Sequence, residues 1–268
     1  MEAPEFERDG SLVTVVVGGQ PQSAVDLTDP LRLDFEYVQH LAMCVDALAP
    51  AGPLRVTHVG GAGLTLPRWV HATRPGSPQV VLEPDEGLTE AVRRELPLPR
   101  GHRIRVRPVT GEDGIAALAD VSADVVVVDA FADGRVPTAL GTVQWFAEVA
   151  RVLRPRGMVL ANVPDEPGMR YLARVHASAR ESLPHTAVVG LHEVLKGKRF
   201  GNLVLVASGA PLDLYTLRRS AASAPLPTGV LTSADLQRRV PAARPFSVAG
   251  GDTACSPEPP ERGAWRRR

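Results

Sequence analysis

Short apolar segments alternate with amphipathic segments five times between Leu54 and Val163, over about 110 residues. The run of valines from Val125 to Val128 has no polar alternation, as expected of a central parallel strand that is covered on both faces. This pattern predicts an α/β protein with a doubly wound, mostly parallel seven-stranded sheet. Hydrophobic residues make up 44% of the chain and aromatic residues only 4%, so the core has to consist mainly of Val, Leu and Ala.

The ends of the chain predict smaller units around this sheet. An entry helix from Leu31 to Leu48 is predicted behind the cap sequence Thr28-Asp29-Pro30, and His192–Leu195 is predicted to be extended, as part of a closing antiparallel hairpin. The predicted division is an N-terminal β segment with the entry helix (1–50), a Rossmann-like domain (51–210), a helical segment (211–249) and a disordered tail (250–268).

Charge, hydropathy and cysteine content exclude several classes of protein. The 30 basic and 30 acidic residues cancel, which argues against a general nucleic-acid binder. No apolar stretch approaches the ~20 residues of a membrane-spanning helix, and the acidic N-terminus is unlike a signal peptide. Cys44 and Cys255 are far apart, which fits a reduced, cytoplasmic protein without a zinc site or a disulfide framework. We therefore expect no nucleic-acid, membrane or metal partner.

A glycine-rich loop follows the first strand of the predicted sheet. In Gly60-Gly61-Ala62-Gly63, the glycines allow a ligand to approach the backbone, and the start of the next helix offers free amide groups. A dinucleotide fingerprint requires a further glycine where Leu66 stands, and no Gly-Lys-Ser/Thr sequence follows. The loop therefore indicates a nucleoside site rather than a pyrophosphate or phosphate-loop site, or else a structural turn.

Acidic residues follow the next two strands. Glu83 lies 20 residues after Gly63, where a carboxylate can accept both hydroxyl groups of a ribose, although it can also be a solvated strand-end acid. Asp113 follows the third strand, where an acid commonly accepts the amine of an adenine. Asp113 could equally be the N-cap of a helix predicted over Gly114–Ala119, and the two roles are compatible.

The fourth strand delivers Asp129 directly after its valines, at the centre of the sheet. A carboxylate there is costly to bury unless it has a partner or a task, so it is either functional or a structural cap. Asn162 and Asp165 close the fifth strand, and either could face the same crevice. His58, inside the first strand, is interpreted as a satisfied core residue rather than as a ligand.

Over about residues 20–210 the sequence resembles the spermidine synthase (polyamine aminopropyltransferase) family, in particular its divergent actinobacterial-type members. The resemblance implies a class I S-adenosylmethionine-methyltransferase-like fold. The segments that carry it are Gln22-Ser23, Asp34-Phe35-Glu36-Tyr37-Val38-Gln39, Gly60-Gly61-Ala62-Gly63, Glu83, Asp113-Gly114 and Asp129.

The resemblance implies transfer of an aminopropyl group from decarboxylated S-adenosylmethionine, or binding of S-adenosylmethionine, with a small amine as acceptor and no metal. It makes Asp129, Tyr37 and Asp133 the catalytic candidates. It assigns nucleoside binding to Gln22, Gly60, Gly61, Gly63, Glu83 and Asp113. The family is commonly dimeric, so a homodimer is the assembly that the resemblance implies.

Three positions depart from the family pattern. Gly63 stands where the family has the Asp that holds the aminopropyl nitrogen of the donor. Ala132 stands at the second catalytic Asp, with Asp133 one residue late, and Val38-Gln39 replaces a His-Glu pair. Two alternatives therefore remain open. The first is an S-adenosylmethionine-dependent methyltransferase; against it, His58 stands two residues before the first glycine of the loop, where an acid would hold the methionine amine. The second is a nucleoside-binding protein that has lost catalysis.

Overall fold

The computed structural model describes residues 3–260 of the chain. The strands are β1 (Glu5–Asp9), β2 (Leu12–Val17), β3 (Gln20–Asp26), β4 (Val56–Val59), β5 (Gln79–Leu82), β6 (Ile104–Arg107), β7 (Ala123–Val128), β8 (Leu153–Asp165), β9 (His185–Leu191), β10 (Gly201–Ser208) and β11 (Thr228–Thr232). The α-helices are α1 (Glu36–Leu48), α2 (Thr65–Thr73), α3 (Glu86–Glu95), α4 (Gly111–Ala116), α5 (Val143–Val152), α6 (Arg170–Arg180), α7 (His192–Leu195), α8 (Leu214–Ala222) and α9 (Ser233–Arg239). Within this range no helix has the length and apolar character needed to cross a membrane.

The main sheet has the strand order β11-β9-β10-β8-β7-β4-β5-β6. Strands β8, β7, β4, β5 and β6 pair in parallel, whereas β10, β9 and β11 add antiparallel to the β8 edge. The predicted doubly wound α/β fold is confirmed. In the described residues its sheet has eight strands rather than seven, because β11 pairs with β9.

Helices cover both faces of the sheet. Val125 and Val127 of β7 pack in a cluster with residues of α1, α2 and α8, whereas Val126 and Val128 pack in a cluster with residues of α4, α5 and α6. All four valines are at most 2% exposed. The two-sided burial predicted from the valine run is therefore confirmed.

Strands β1, β2 and β3 form a separate antiparallel sheet. Val13, Val15 and Val25 of this sheet pack against Leu64, at the start of α2, and Leu88 of α3. The predicted N-terminal β segment is thus present, and it lies against the glycine-loop side of the main sheet.

The entry helix begins five residues later than predicted, at Glu36 instead of Leu31. The expected cap sequence has another role, because the Asp26 carboxylate accepts hydrogen bonds from the Thr28 amide and hydroxyl and from the Asp29 amide. These bonds stabilise a turn before the helix. His192–Leu195 is also corrected: it forms the short helix α7 within the connection between β9 and β10, and is not extended.

The C-terminal part of the chain differs most from the expectation. Within the predicted helical segment 211–249, Thr228–Thr232 forms β11 and joins the main sheet. In the segment predicted to be disordered, Ser256 is fully buried and bonds to Arg135 and Val136. Docking onto the folded domain thus overrides a polar, Pro-rich composition. Residues 261–268 of that prediction lie outside the described range, and the division into domains as such stays a prediction.

Candidate active site

The register of the parallel strands brings four chain segments to one edge of the sheet. Val59 of β4 lies between Leu82 of β5 and Val128 of β7, and Val128 in turn pairs with Ala161 of β8. The residues that follow these four positions are Gly60, Glu83, Asp129 and Asn162. They lie where the strand order reverses, which is where doubly wound sheets bind ligands.

The glycine loop packs directly on the catalytic candidate. Gly60 has a φ of +85°, and a Cβ at this position would clash with the carbonyl oxygen of Asp129. The Gly60 amide donates to the Leu82 carbonyl oxygen at 2.9 Å, and the Asp129 amide donates to the Val59 carbonyl oxygen at the same distance. The backbones of β4 and β7 therefore approach each other here to a separation that only glycine permits.

Glu83 is fixed beneath the loop by backbone donors. One carboxylate oxygen accepts the Gly61 amide at 3.0 Å, and the other accepts the Asp85 amide at 3.1 Å. The side chain stays half-buried rather than fully covered. Since each carboxylate oxygen has further acceptor capacity, both can still receive a hydroxyl group of a bound sugar.

Asp129 is held by two polar side chains. Its Oδ1 accepts from Asn162 Nδ2 at 2.9 Å, and the hydroxyl of Tyr37, in the first turn of α1, is its second hydrogen-bonding partner. Burial raises the pKa of Asp129 to about 6, although both hydrogen bonds act in the opposite direction. Burial, followed by the charge of Asp129, raises the pKa of Tyr37 well above its usual value. At neutral pH the pair is an ionised carboxylate beside a neutral phenol.

Asn162 belongs to this cluster, although the sequence only indicated that it could face the crevice. It is 2% exposed, and its Oδ1 has no hydrogen-bond partner. Because its amide group donates to Asp129, this free acceptor remains available beside the carboxylate. The sequence feature that points to Asn162 is its position at the end of a buried strand.

Two further predicted nucleoside-binding residues lie on α4 and β3. Asp113 is exposed in the first turn of α4, where its carboxylate accepts from the Thr110 hydroxyl at 3.0 Å. Thr110, not Asp113, is the N-cap, since its hydroxyl accepts the Asp113 amide and the helix begins at Gly111 instead of Gly114. Gln22 is half-buried on β3 in the N-terminal sheet.

The remaining candidates lie outside the Asp129 cluster. Asp133 is exposed and, with a φ of +50°, forms a tight turn with Gly134 between Ala132 and Arg135. Asp165 is buried at the end of β8, where it accepts amide hydrogen bonds from Glu166 and Leu172 and so holds the start of α6.

His58 is a satisfied core residue, as interpreted from the sequence. Its Nε2 donates to the Gln79 side-chain oxygen at 2.9 Å, and burial lowers its pKa to about 4. In the described part of the chain, no group of three His, Cys, Asp or Glu side chains is placed to hold a metal ion.

Comparison with known proteins gives the following relatives. No protein-family model matches the chain. A polyamine aminopropyltransferase from Chromobacterium violaceum is 25% identical over 164 residues, which cover 60% of this chain and 62% of that protein. The match thus spans less than two thirds of the length of that relative.

Solved structures with the same fold include the following two. A probable spermidine synthase from Corynebacterium glutamicum superposes with a TM-score of 0.83 at 27% identity, covering 91% of this chain and 92% of that one. Human methyltransferase-like protein 13, solved in complex with SAH, superposes with a TM-score of 0.54 at 21% identity, covering 78% and 95%. The second likeness concerns the fold alone. The resemblance read from the residues is confirmed: in sequence and in fold this chain is similar to the spermidine synthase (polyamine aminopropyltransferase) family, on a methyltransferase-like sheet.

Proposed function

We propose that this protein transfers an aminopropyl group from decarboxylated S-adenosylmethionine to a small amine of the putrescine type. The observation that carries the proposal is the cluster of Asp129, Asn162 and Tyr37 beside the glycine loop. The similarity to aminopropyltransferases supports it. So does the nucleoside half of the site, where Glu83 is preset under Gly61 to receive the ribose.

The chemistry needs an uncharged amine beside the donor. The lone pair of the amine nitrogen forms a bond to the carbon next to the sulfonium, the C–S bond breaks, and methylthioadenosine leaves as a neutral thioether. Asp129 accepts the proton that the amine loses, and a carboxylate whose pKa lies near 6 is well matched to this task at neutral pH. Most of the remaining rate enhancement comes from holding the two reactants in line.

Asn162 and Tyr37 have distinct parts in this proposal. Asn162 offers a free, buried oxygen that can accept a hydrogen bond from the amine while its amide group keeps Asp129 in place. Tyr37, which belongs to α1, stabilises the Asp129 carboxylate through the second hydrogen bond. Asp133, on its exposed turn, serves as the second acid only if the loop after Asp129 rearranges.

The test is the Asp129→Asn variant, assayed by release of methylthioadenosine from decarboxylated S-adenosylmethionine with putrescine. We expect at least a hundredfold loss of turnover with unchanged nucleoside binding, because an amide cannot accept the proton. The wild-type rate should fall as the pH drops through about 6, where Asp129 becomes protonated. Asp9→Asn, an exposed change on β1, is the matched control and should retain full activity.

The assay also separates the alternatives. Unchanged turnover in Asp129→Asn contradicts the assignment of the base. Methyl transfer from S-adenosylmethionine, with no methylthioadenosine released, indicates the methyltransferase alternative. Nucleoside binding without turnover of any donor indicates the protein that has lost catalysis.

A further inference from the structure

The outer strands of the two sheets differ in how they are protected against pairing with another chain. Charged side chains and prolines commonly give that protection. β1 has the sequence Glu-Phe-Glu-Arg-Asp and β6 the sequence Ile-Arg-Val-Arg, whereas β3 contains Pro21 and is covered by α2, whose Thr65 hydroxyl donates to the Ala24 carbonyl oxygen. β11, at the other end of the main sheet from β6, has the sequence Thr-Gly-Val-Leu-Thr. Among the outer strands of the described residues, β11 is therefore the one with neither a charge nor a proline.

The register of β11 shows which of its backbone groups are unpaired. Immediately before the strand, the His192 amide donates to the Pro227 carbonyl oxygen at 2.8 Å, so these two residues form a hydrogen-bonded pair. Such pairs alternate with non-bonded pairs along an antiparallel ladder. The residues of β11 whose amide and carbonyl groups point away from β9 are therefore Thr228, Val230 and Thr232.

These outward groups are complementary to those of a second β11. When two copies pair antiparallel about a two-fold axis at Val230, the two Val230 residues exchange a pair of hydrogen bonds, and each Thr228 amide meets a Thr232 carbonyl oxygen. The Thr232 amide needs no partner from the second copy, because it donates to the Asp235 carboxylate of its own chain at 2.9 Å. Every outward amide of β11 then has an acceptor.

Helix α8, which packs on β11, carries side chains that suit the same arrangement. Tyr215 is 77% exposed, and tyrosine is enriched at protein interfaces. Asp213 caps the start of α8 and Arg219 lies in its last turn; both are exposed, and in the described part of the chain neither forms an ion pair. A two-fold axis sets the two α8 helices antiparallel, so the acidic end of each helix faces the basic end of the other.

We propose that β11 is the interface of a homodimer, in which two copies of this chain join their eight-stranded sheets into one continuous sheet about a two-fold axis. Backbone hydrogen bonds between the β11 strands set the register, and Tyr215 with the two charged ends of α8 adds side-chain contacts on one face. Three strands separate β11 from β7, which carries Asp129 at its end. The inference therefore does not depend on the proposed function.

The first experiment is sedimentation velocity on the intact chain at several concentrations. We expect the wild type to be a dimer at about 100 μM. Val230→Pro removes an amide that points away from β9, so it should weaken dimerisation by at least about tenfold and leave the subunit folded, because edge strands accept proline at such positions. Val230→Thr keeps the amide and the shape of the side chain, and this matched control should dimerise like the wild type. A monomeric wild type overturns the inference.

The second experiment tests the contact between the α8 helices. Arg219→Glu places two acids opposite each other at both ends of the helix pair and should weaken dimerisation by about fivefold or more. Adding Asp213→Asn keeps the helix cap, removes the repulsion and should restore most of the affinity. Arg93→Glu, the same change in the last turn of α3, is the control and should have no effect.

Circular dichroism shows whether each variant is folded. Wild-type dimerisation of a folded Val230→Pro protein contradicts the inference. If Val230→Pro does not fold, the Arg219→Glu protein decides, and wild-type dimerisation of that variant contradicts the inference.

Discussion

At the scale of single residues, the contact between Gly60 and Asp129 joins the glycine loop to the end of β7. The Gly60 backbone lies directly against the peptide group that carries Asp129, so one steric requirement fixes the position of both. The same requirement excludes a side chain at the first glycine of the loop.

Gly60→Ala should lower the free energy of unfolding by more than about 2 kcal/mol, because it adds a clash to a strained φ of +85°. Chemical denaturation measures the change. Gly10→Ala is the matched control, since Gly10 also has a positive φ of +60° but nothing within 4 Å of an added Cβ. Its loss should be about 1 kcal/mol. Equal losses in the two variants would show that the contact with Asp129 is unimportant.

Glu83→Gln should weaken binding of methylthioadenosine by about tenfold, because the ribose loses a charged acceptor and the amide cannot accept from both backbone donors. Calorimetry measures this change. Glu90→Gln, an exposed change on α3, should bind the nucleoside as tightly as the wild type. An unaffected Glu83→Gln protein would exclude Glu83 from the nucleoside site.

At the scale of elements, the C-terminal segment (residues 246–256) packs on the folded domain and contacts the loop that follows Asp129. Ser256 accepts the Val136 amide on its hydroxyl at 2.9 Å and the Arg135 side chain on its carbonyl oxygen at 2.7 Å. Further back, Phe246 packs against the guanidinium of Arg174, which also pairs with Asp252 at 2.5 Å. Through Ser256, the C-terminal part of the chain therefore holds the hairpin of Ala132–Arg135, in the loop that follows Asp129.

Ser256→Ala should lower the free energy of unfolding by about 1–3 kcal/mol, since it leaves the buried Val136 amide without an acceptor. Denaturation by urea measures the loss. Ser223→Ala, at an exposed position after α8, is the control and should change stability by less than about 0.5 kcal/mol. The same small change at both positions would mean that the segment is not docked in solution.

The elements also show where local sequence signals are ambiguous. Thr28-Asp29-Pro30 has the composition of a helix start, yet the Asp26 carboxylate binds its amides and makes it a turn. Thr110 rather than Asp113 caps α4 because its hydroxyl meets the Asp113 amide at 3.2 Å. Both sequences contain several residues that can cap, and the path of the backbone selects one of them.

At the scale of the whole molecule, buried ionisable groups determine the response to acid. Burial lowers the pKa of His40, His58 and His176 to about 4, so the unfolded chain binds more protons at these positions as the pH falls from about 6.5. Burial raises the pKa of Asp129 and Asp165 to about 6. These carboxyl groups therefore bind protons in the folded state on acidification, which opposes the loss of stability caused by the histidines.

Three histidines against two carboxyl groups leave a net excess of about one proton on the unfolded chain. We therefore expect the free energy of unfolding to fall by roughly 2–3 kcal/mol between pH 6.5 and pH 4.5, at about 1.4 kcal/mol per pH unit. Denaturation curves at several pH values measure this slope. Asp129→Asn removes one opposing carboxyl group and should steepen it. A rise in stability on acidification would contradict the assignment of buried neutral histidines.

The sequence by itself determined the parallel sheet and the acids at its carboxyl edge. A run of valines without polar alternation identifies a strand covered on both faces, and a carboxylate directly after such a run has to emerge at the edge of the sheet. Asp129 and Glu83 could therefore be placed correctly from local pattern alone, since burial and strand direction are both encoded in a few neighbouring residues.

Only the tertiary structure decided what these acids touch. Asn162 lies 33 residues from Asp129 in the chain, and Tyr37 approaches from α1, so both contacts depend on strand register and helix packing. The packing of Ser23 against Gly63 depends likewise on how the N-terminal sheet docks on the main sheet. Hydrogen bonds and desolvation act over a few ångströms in space, and side chains remote in sequence meet at that distance only after the chain has folded.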